Sequence, residues 1–179
     1  KYGQLSDNLH TDMHECLGHG SGQLLESTGA NALKEYSSTL EEARADLFAL
    51  YYLMDEKMIE LNLIDSLEVG KAQYDAYVRN GLLVQLARIP LGENITEAHM
   101  QNRKLICEYA LQNSDCIEKI IKDNKTYFVV KDYDKLRSVF GELLYQIQEI
   151  KSTGDYEKGK YLVETYGVKI DSEIHKEVI

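Results

Sequence analysis

A mainly α-helical domain, with at most a minor pair of strands, is the fold class this sequence predicts. Three observations lead there. Apolar residues recur at three- and four-residue intervals over long windows. The 179 residues hold one proline, so few breaks are forced on those windows. Capping and stopping residues stand where the periodic runs begin and end. With 44% hydrophobic residues, the chain can fill one core, and residues 1–179 read as a single helical domain.

The elements follow in order. Leu5, Leu9, Met13 and Leu17 recur every four residues and predict a first helix over about 7–17, with these leucines as its apolar stripe. Gly18, Gly20 and Gly22 end it, and 27–37 reads as a loop or a short helix. Ser38-Thr39-Leu40-Glu41 has the pattern of a capping box. From it a long helix runs through Leu47, Leu50 and Met54 to about Leu61. A third helix starts near Asp65 and stops before Pro90; a fourth spans about 96–112; 114–122 reads as a short fifth. Thr126 to Lys131 is the best strand candidate. Asp132 caps a helix that Gly154 stops, and 155–166 forms another, ended by Gly167. Val168-Lys169-Ile170 is a second short strand candidate, and Asp171 caps the start of a last helix.

Composition narrows the function classes. The net charge of -10 argues against nucleic acid or an anionic membrane as partner. It reads as a solvated acidic surface or as attraction for a cationic ligand. No apolar run approaches the roughly 20 residues of a membrane span, and no segment reads as a signal peptide. Cys16, Cys107 and Cys116 are odd in number and unclustered, which fits free thiols in a reducing compartment such as the cytoplasm. The chain opens on Lys1 and stops a few residues into its last helix, as a fragment of a longer protein would.

The chemistry concentrates in His14-Glu15-Cys16-Leu17-Gly18-His19. Two imidazoles and a carboxylate are the parts that hold a metal and activate a water. The spacing is H-E-x-x-x-H, one residue longer than H-E-x-x-H. At about 100° per residue, positions five apart on a straight α-helix diverge by about 140°. His14 and His19 can therefore share a metal only if the helix carries a π-type bulge or unwinds, and Gly18 and Gly20 make that distortion inexpensive.

A catalytic zinc needs a third protein ligand. Glu42 and Asp46 lie four apart on one face at the head of the long helix. One could bind metal while the other accepts the free N–H of a ligand histidine; both could equally serve only the helix N-terminus. Glu41 is a capping-box residue or such an acceptor. His10 and His14, four apart, form a competing ligand pair that would strand Glu15 and His19. Cys16 reads as a packed core thiol. Position 19 is histidine, so Ser21 stands in no G-x-S-x-G elbow. The glycines give no G-x-G-x-x-G and follow no strand, which excludes a dinucleotide fingerprint.

His14 to Gly22, H-E-C-L-G-H-G-S-G, resembles the H-E-L-L-G-H-G-S-G zinc motif of the dipeptidyl-peptidase III family. Glu41 to Asp46, E-E-A-R-A-D, resembles its second motif, E-E-C-R-A-E. Ala98-His99-Met100, with Arg103 four residues beyond the histidine, resembles a further segment of the catalytic lobe. The resemblance implies zinc (Zn2+) held by His14, His19 and Glu42, with Glu15 as general base. It implies Glu41 and Asp46 as acceptors for the ligand histidines, and His99 as a group that steadies the transition state. Arg103 would contact substrate or form a structural ion pair; as a lone helical histidine, His99 could equally be structural. Cysteine follows Glu15 where the family has leucine, alanine replaces the cysteine of the second motif, and Asp46 is shorter than the family's glutamate. The 21 residues between Gly20 and Glu42 are compact, as in a bacterial-type relative.

The family's enzymes are two-lobed zinc exopeptidases that release dipeptides from the N-terminus of oligopeptides. The chain would then be part of the catalytic lobe, with an oligopeptide as substrate and the remaining lobe as partner. The alternative is a zinc-binding helical fragment, inactive alone because the other lobe is missing.

Overall fold

The computed structural model describes all of residues 1–179. It contains eight α-helices and one hairpin: α1 (Gly3–Met13), α2 (Ser37–Leu53), α3 (Lys57–Glu60), α4 (Glu68–Leu82), α5 (Ala98–Asn113), β1 (Ile117–Lys122), β2 (Lys125–Val130), α6 (Tyr133–Thr153), α7 (Tyr156–Leu162) and α8 (Ser172–Val178). The mainly helical class holds. No helix is long and apolar enough to cross a membrane.

Helix α2 is the central element and packs against α1, α4, α5 and α6. Leu40, Leu47 and Leu50 are fully buried on it, in a main core that also takes Tyr74 from α4, Leu105 from α5 and Phe140 from α6. Tyr74 and Phe140 meet edge to face at 5.1 Å, the arrangement that aromatic quadrupoles favour. Helix α2 therefore stands fixed on several sides, and the carboxylates at its head inherit that rigidity.

Asp132 caps α6 by accepting from the Lys135 N–H, and Gly154 stops it at φ 69°, a left-handed angle that costs glycine nothing. Asp171 caps α8 through the Glu173 and Ile174 N–H groups. The proposed capping box at Ser38 does not form. A 3₁₀ turn over Lys34–Tyr36 runs straight into α2, and Thr39 donates instead to the Gln101 side chain. The long helix also ends earlier than its apolar spacing implies, at Leu53, and a turn separates it from α3.

The expected helix over 114–122 is a strand. Ile117, Ile120 and Ile121 mimic a helical stripe, but β1 pairs antiparallel with β2, Lys122 opposite Lys125. Asp123 and Asn124, both left-handed at φ 51° and 57°, make the two-residue turn, the primed geometry that hairpins favour. Val168 to Ile170 is not a strand; it contributes one backbone bond, from the Ile95 N–H to the Val168 carbonyl.

The expected stripe of α1 is inward only in part, with Met13 buried and Leu9 half-buried against a small core that holds Leu53 and Met58. Ser6, His10 and Met13 are buried, while Leu5 and Leu17 are about half exposed. The inward face mixes Ser6 and His10 with Met13, and its polar part fronts the side chains described next.

Candidate metal centre

Helix α1 turns into a π-helical turn over His14–Gly18. Its signature is the hydrogen bond from the His19 N–H to the His14 carbonyl, 2.9 Å, spanning five residues. This is the distortion that five-residue spacing requires. The two rings meet edge to face with centroids 4.6 Å apart. Gly18 serves through space: a Cβ there would lie 2.8 Å from the Ala45 Cα. The turn can press onto α2 only because position 18 has no side chain. A Gly18→Ala substitution is expected to push the turn off α2, at a cost of about 1–3 kcal/mol for overpacking. Thermal unfolding of the metal-free chain reads the cost, and zinc affinity should fall with it.

The head of α2 supplies three carboxylates with different tasks. Asp46 Oδ1 accepts from His14 Nδ1 at 2.7 Å. Glu41 Oε1 accepts from His19 Nδ1 at 2.8 Å. Both histidines thus carry their proton on Nδ1 and turn the Nε2 lone pair the other way. Glu42 Oε2 lies there, 3.3 Å from His14 Nε2 and 3.8 Å from His19 Nε2. It is buried and has no hydrogen-bond partner. The ligand atoms of His14, His19 and Glu42 lie within 4.8 Å of one another.

Two imidazole lone pairs and a carboxylate oxygen converge there with no donor among those three atoms. Such a set repels itself unless a cation sits between its members. Nitrogen and oxygen donors in this number suit zinc, with a further position open. The residues present fit the group that the sequence implies.

The supporting carboxylates are themselves held. Glu41 is gripped by Arg44 Nη2 at 2.8 Å and Nε at 3.1 Å, and it pairs with Lys151 of α6. Arg44 also donates to the Gly18 carbonyl at 2.6 Å, clamping the end of the π turn. Burial pushes the pKa of both cations down. Asp46 accepts on Oδ2 from the Tyr77 hydroxyl, 2.6 Å. Burial would raise the Asp46 pKa, but the His14 bond, the His10 charge and the Tyr77 bond outweigh it and hold it below 3.8. Burial, helped by Asp46, keeps the Tyr77 phenol well above its ordinary value, so it stays a donor.

His14 is opposed in the same way. Burial works against its protonation, but the Asp46 bond and the charges of Asp46, Glu42 and Glu15 prevail and raise its pKa above 6.5. In the metal-free chain this stabilises the fold fully below pH 6.5 and is lost as pH rises through the raised value. The Asp46 contribution is present above 3.8 and lost as pH falls through its lowered value. A metal needs His14 unprotonated on Nε2. Zinc affinity is therefore expected to weaken on acidification starting above pH 6.5. Chelator competition between pH 8 and pH 6 would measure it, and an onset only below 6.5 would contradict it.

The remaining residues line one polar cavity of about 330 Å³ beside this cluster, with Glu15, His99 and Arg103 on its walls. Glu15 is exposed. His99 is held at the start of α5, where Glu97 caps the helix, and its Nδ1 lies 3.3 Å from Glu42 Oε2. Arg103 is half-buried and has no carboxylate within 4.0 Å, so the expected structural ion pair is not formed. His10 also lines the cavity, but its Nε2 faces Asp46 at 3.6 Å rather than the converging trio. Cys16 is exposed rather than a core thiol, because the π turn carries it to the outer face. A larger groove of about 1390 Å³, walled by Phe48, Tyr52 and Tyr145, contains none of the converging groups. Arg44 stands inside the second motif, where its sequence position alone assigns it no contact; Tyr77 and Lys151 carry no sequence signal.

Two converging imidazoles and a carboxylate, beside a polar cavity with a further glutamate on its wall, make a candidate site for a single metal ion. Residues 26–178 match Peptidase family M49, and the chain belongs to that family. The match begins beyond the His14–His19 turn, so the turn's geometry is separate support. The chain is 27% identical to dipeptidyl peptidase 3 of Homo sapiens in an alignment that covers 93% of this chain and 28% of that protein. The Mus musculus protein of the same name is 26% identical with the same coverage. The structure of DPP III from Caldithrix abyssi superposes with a TM-score of 0.73 at 26% identity, covering 96% of this chain and 31% of the other. The chain thus spans about three-tenths of the length of these relatives and is a fragment on their scale.

Proposed function

We propose that this chain carries the zinc centre of a metallopeptidase that releases dipeptides from the N-terminus of oligopeptides. The observation that carries the reading is the donor-free convergence of His14, His19 and Glu42. Zinc, when bound by those three, supplies a Lewis acid that brings the pKa of a water down to about 7 and polarises the scissile carbonyl. Glu15 takes the water's proton and passes it to the leaving amine. His99 donates toward the oxygen that becomes negative. Asp46 and Glu41 keep the ligand rings on the correct tautomer. Arg103, free of any carboxylate, contacts the bound peptide. Residues 1–179 form one helical domain of the catalytic lobe, and the remaining lobe of a longer protein is its partner. Its three free thiols fit the cytoplasm.

A second reading rests on coverage. With only about three-tenths of its relatives' length present, the chain alone binds zinc without turnover. Dipeptide release from a chromogenic dipeptidyl substrate, measured on the full-length protein and on this chain, separates the two. Release only by the longer form supports the second reading; release by neither refutes the peptidase assignment.

A further inference from the structure

We propose that Tyr77 is a positioning residue for the metal centre, fixing the Asp46 carboxylate so that it orients His14. The inference rests on the reading of His14 as a metal ligand. Asp46 projects from α2 on a side chain one methylene shorter than glutamate, and its carboxylate could rotate about its terminal bond. Its Oδ1 must face His14 Nδ1, 2.7 Å away. Tyr77, from α4, holds the other oxygen at 2.6 Å and so fixes the plane of the group. All three side chains are buried, at 8% exposure for His14, 5% for Asp46 and 4% for Tyr77. Water is thus poorly placed to replace the phenol.

The two ligand histidines are supported differently. The Glu41 charge behind His19 is shared with Arg44 and with Lys151. Behind His14 the far oxygen of Asp46 meets a neutral hydroxyl and no lysine or arginine, and only His10 Nε2, 3.6 Å from the near oxygen, shares the carboxylate with the His14 N–H. A carboxylate that keeps its charge raises the basicity of the ring's other nitrogen. Tyr77 thereby sets both the direction of the His14 lone pair and its strength as a donor to metal. The ring of Tyr77 also packs 5.7 Å from His10, a contact that phenylalanine preserves.

Zinc affinity of the full-length protein, measured by chelator competition, tests this. Tyr77→Phe removes the donor and keeps the ring. It is expected to weaken zinc binding about tenfold, the lower end of the range for groups that orient metal ligands. In an Asp46→Ala background the same change should alter affinity less than twofold, because its target is gone. A purely structural tyrosine would give the same loss in both backgrounds, and that result would overturn the proposal. So would a Tyr77→Phe protein within twofold of wild type. If Asp46→Ala does not fold, Asp46→Asn takes its place, with most of the Tyr77 effect expected to disappear. A wild-type protein that binds no zinc, or a His14→Ala protein that keeps it, would instead overturn the reading of His14 itself and this inference with it.

Discussion

Replacing Glu15 with glutamine is expected to lower dipeptide release by the full-length protein about 10²- to 10⁴-fold while leaving zinc bound, the range found for general acid–base groups. Glutamine keeps the size and shape of the side chain but cannot accept the water's proton. Glu15 is exposed on the cavity wall and lies outside the cluster of His14, His19 and Glu42. Its loss should therefore change folding stability by no more than about 0.5 kcal/mol, as for other surface positions without special contacts. Metal content and turnover separate in this variant, which distinguishes a proton carrier from a ligand. Elemental analysis showing full zinc beside wild-type turnover would remove Glu15 from the mechanism. Zinc lost together with turnover would make it a ligand instead.

The distortion between His14 and His19 is legible in the sequence, because spacing constrains geometry. Histidines five apart demand a π turn if they share a metal, and the bond from the His19 N–H to the His14 carbonyl supplies it. The placement of Glu41, Glu42 and Asp46 on the first turns of α2 followed from the second motif. Of the hairpin, β2 is legible as the Thr126 to Lys131 strand candidate, and β1 is not. The isoleucines of β1 satisfy a helical period as well as a strand period, and only pairing with β2 decides between them. Leu5 and Leu17 misled for a related reason. Periodicity places Leu9 and Met13 inward but cannot tell that the polar Ser6 and His10 share the buried face while the outer leucines do not. Lys151 and Tyr77 were beyond sequence reasoning altogether. Their contacts with Glu41 and Asp46 span 110 and 31 residues, and neither position differs locally from an ordinary helical lysine or tyrosine.

The same geometry predicts that Glu42→Ala loses zinc yet, at a pH above the raised His14 pKa, leaves the metal-free chain more stable. Glu42 Oε2 is buried without a hydrogen bond, and it faces His14 Nε2 at 3.3 Å and His19 Nε2 at 3.8 Å. Once His14 has lost its second proton, those nitrogens present lone pairs, since their partner nitrogens donate to Asp46 and Glu41. A buried polar group left unsatisfied costs about 1–3 kcal/mol. Removing the carboxylate relieves that cost, offset by the small packing loss of its methylenes. In a domain of this size each kcal/mol moves the melting temperature by about 2–4 °C. The metal-free variant should melt a few degrees above the metal-free wild type. Added zinc should then raise the wild-type melting temperature by mass action and leave that of Glu42→Ala unchanged. A carboxylate present only for the dipole of α2 would show the opposite pattern. Its removal would cost about 0.3–1 kcal/mol, and zinc would still bind. Calorimetry of both proteins with and without zinc therefore decides the role of Glu42 from the sign of two shifts, and full zinc retention in Glu42→Ala would refute it as a ligand.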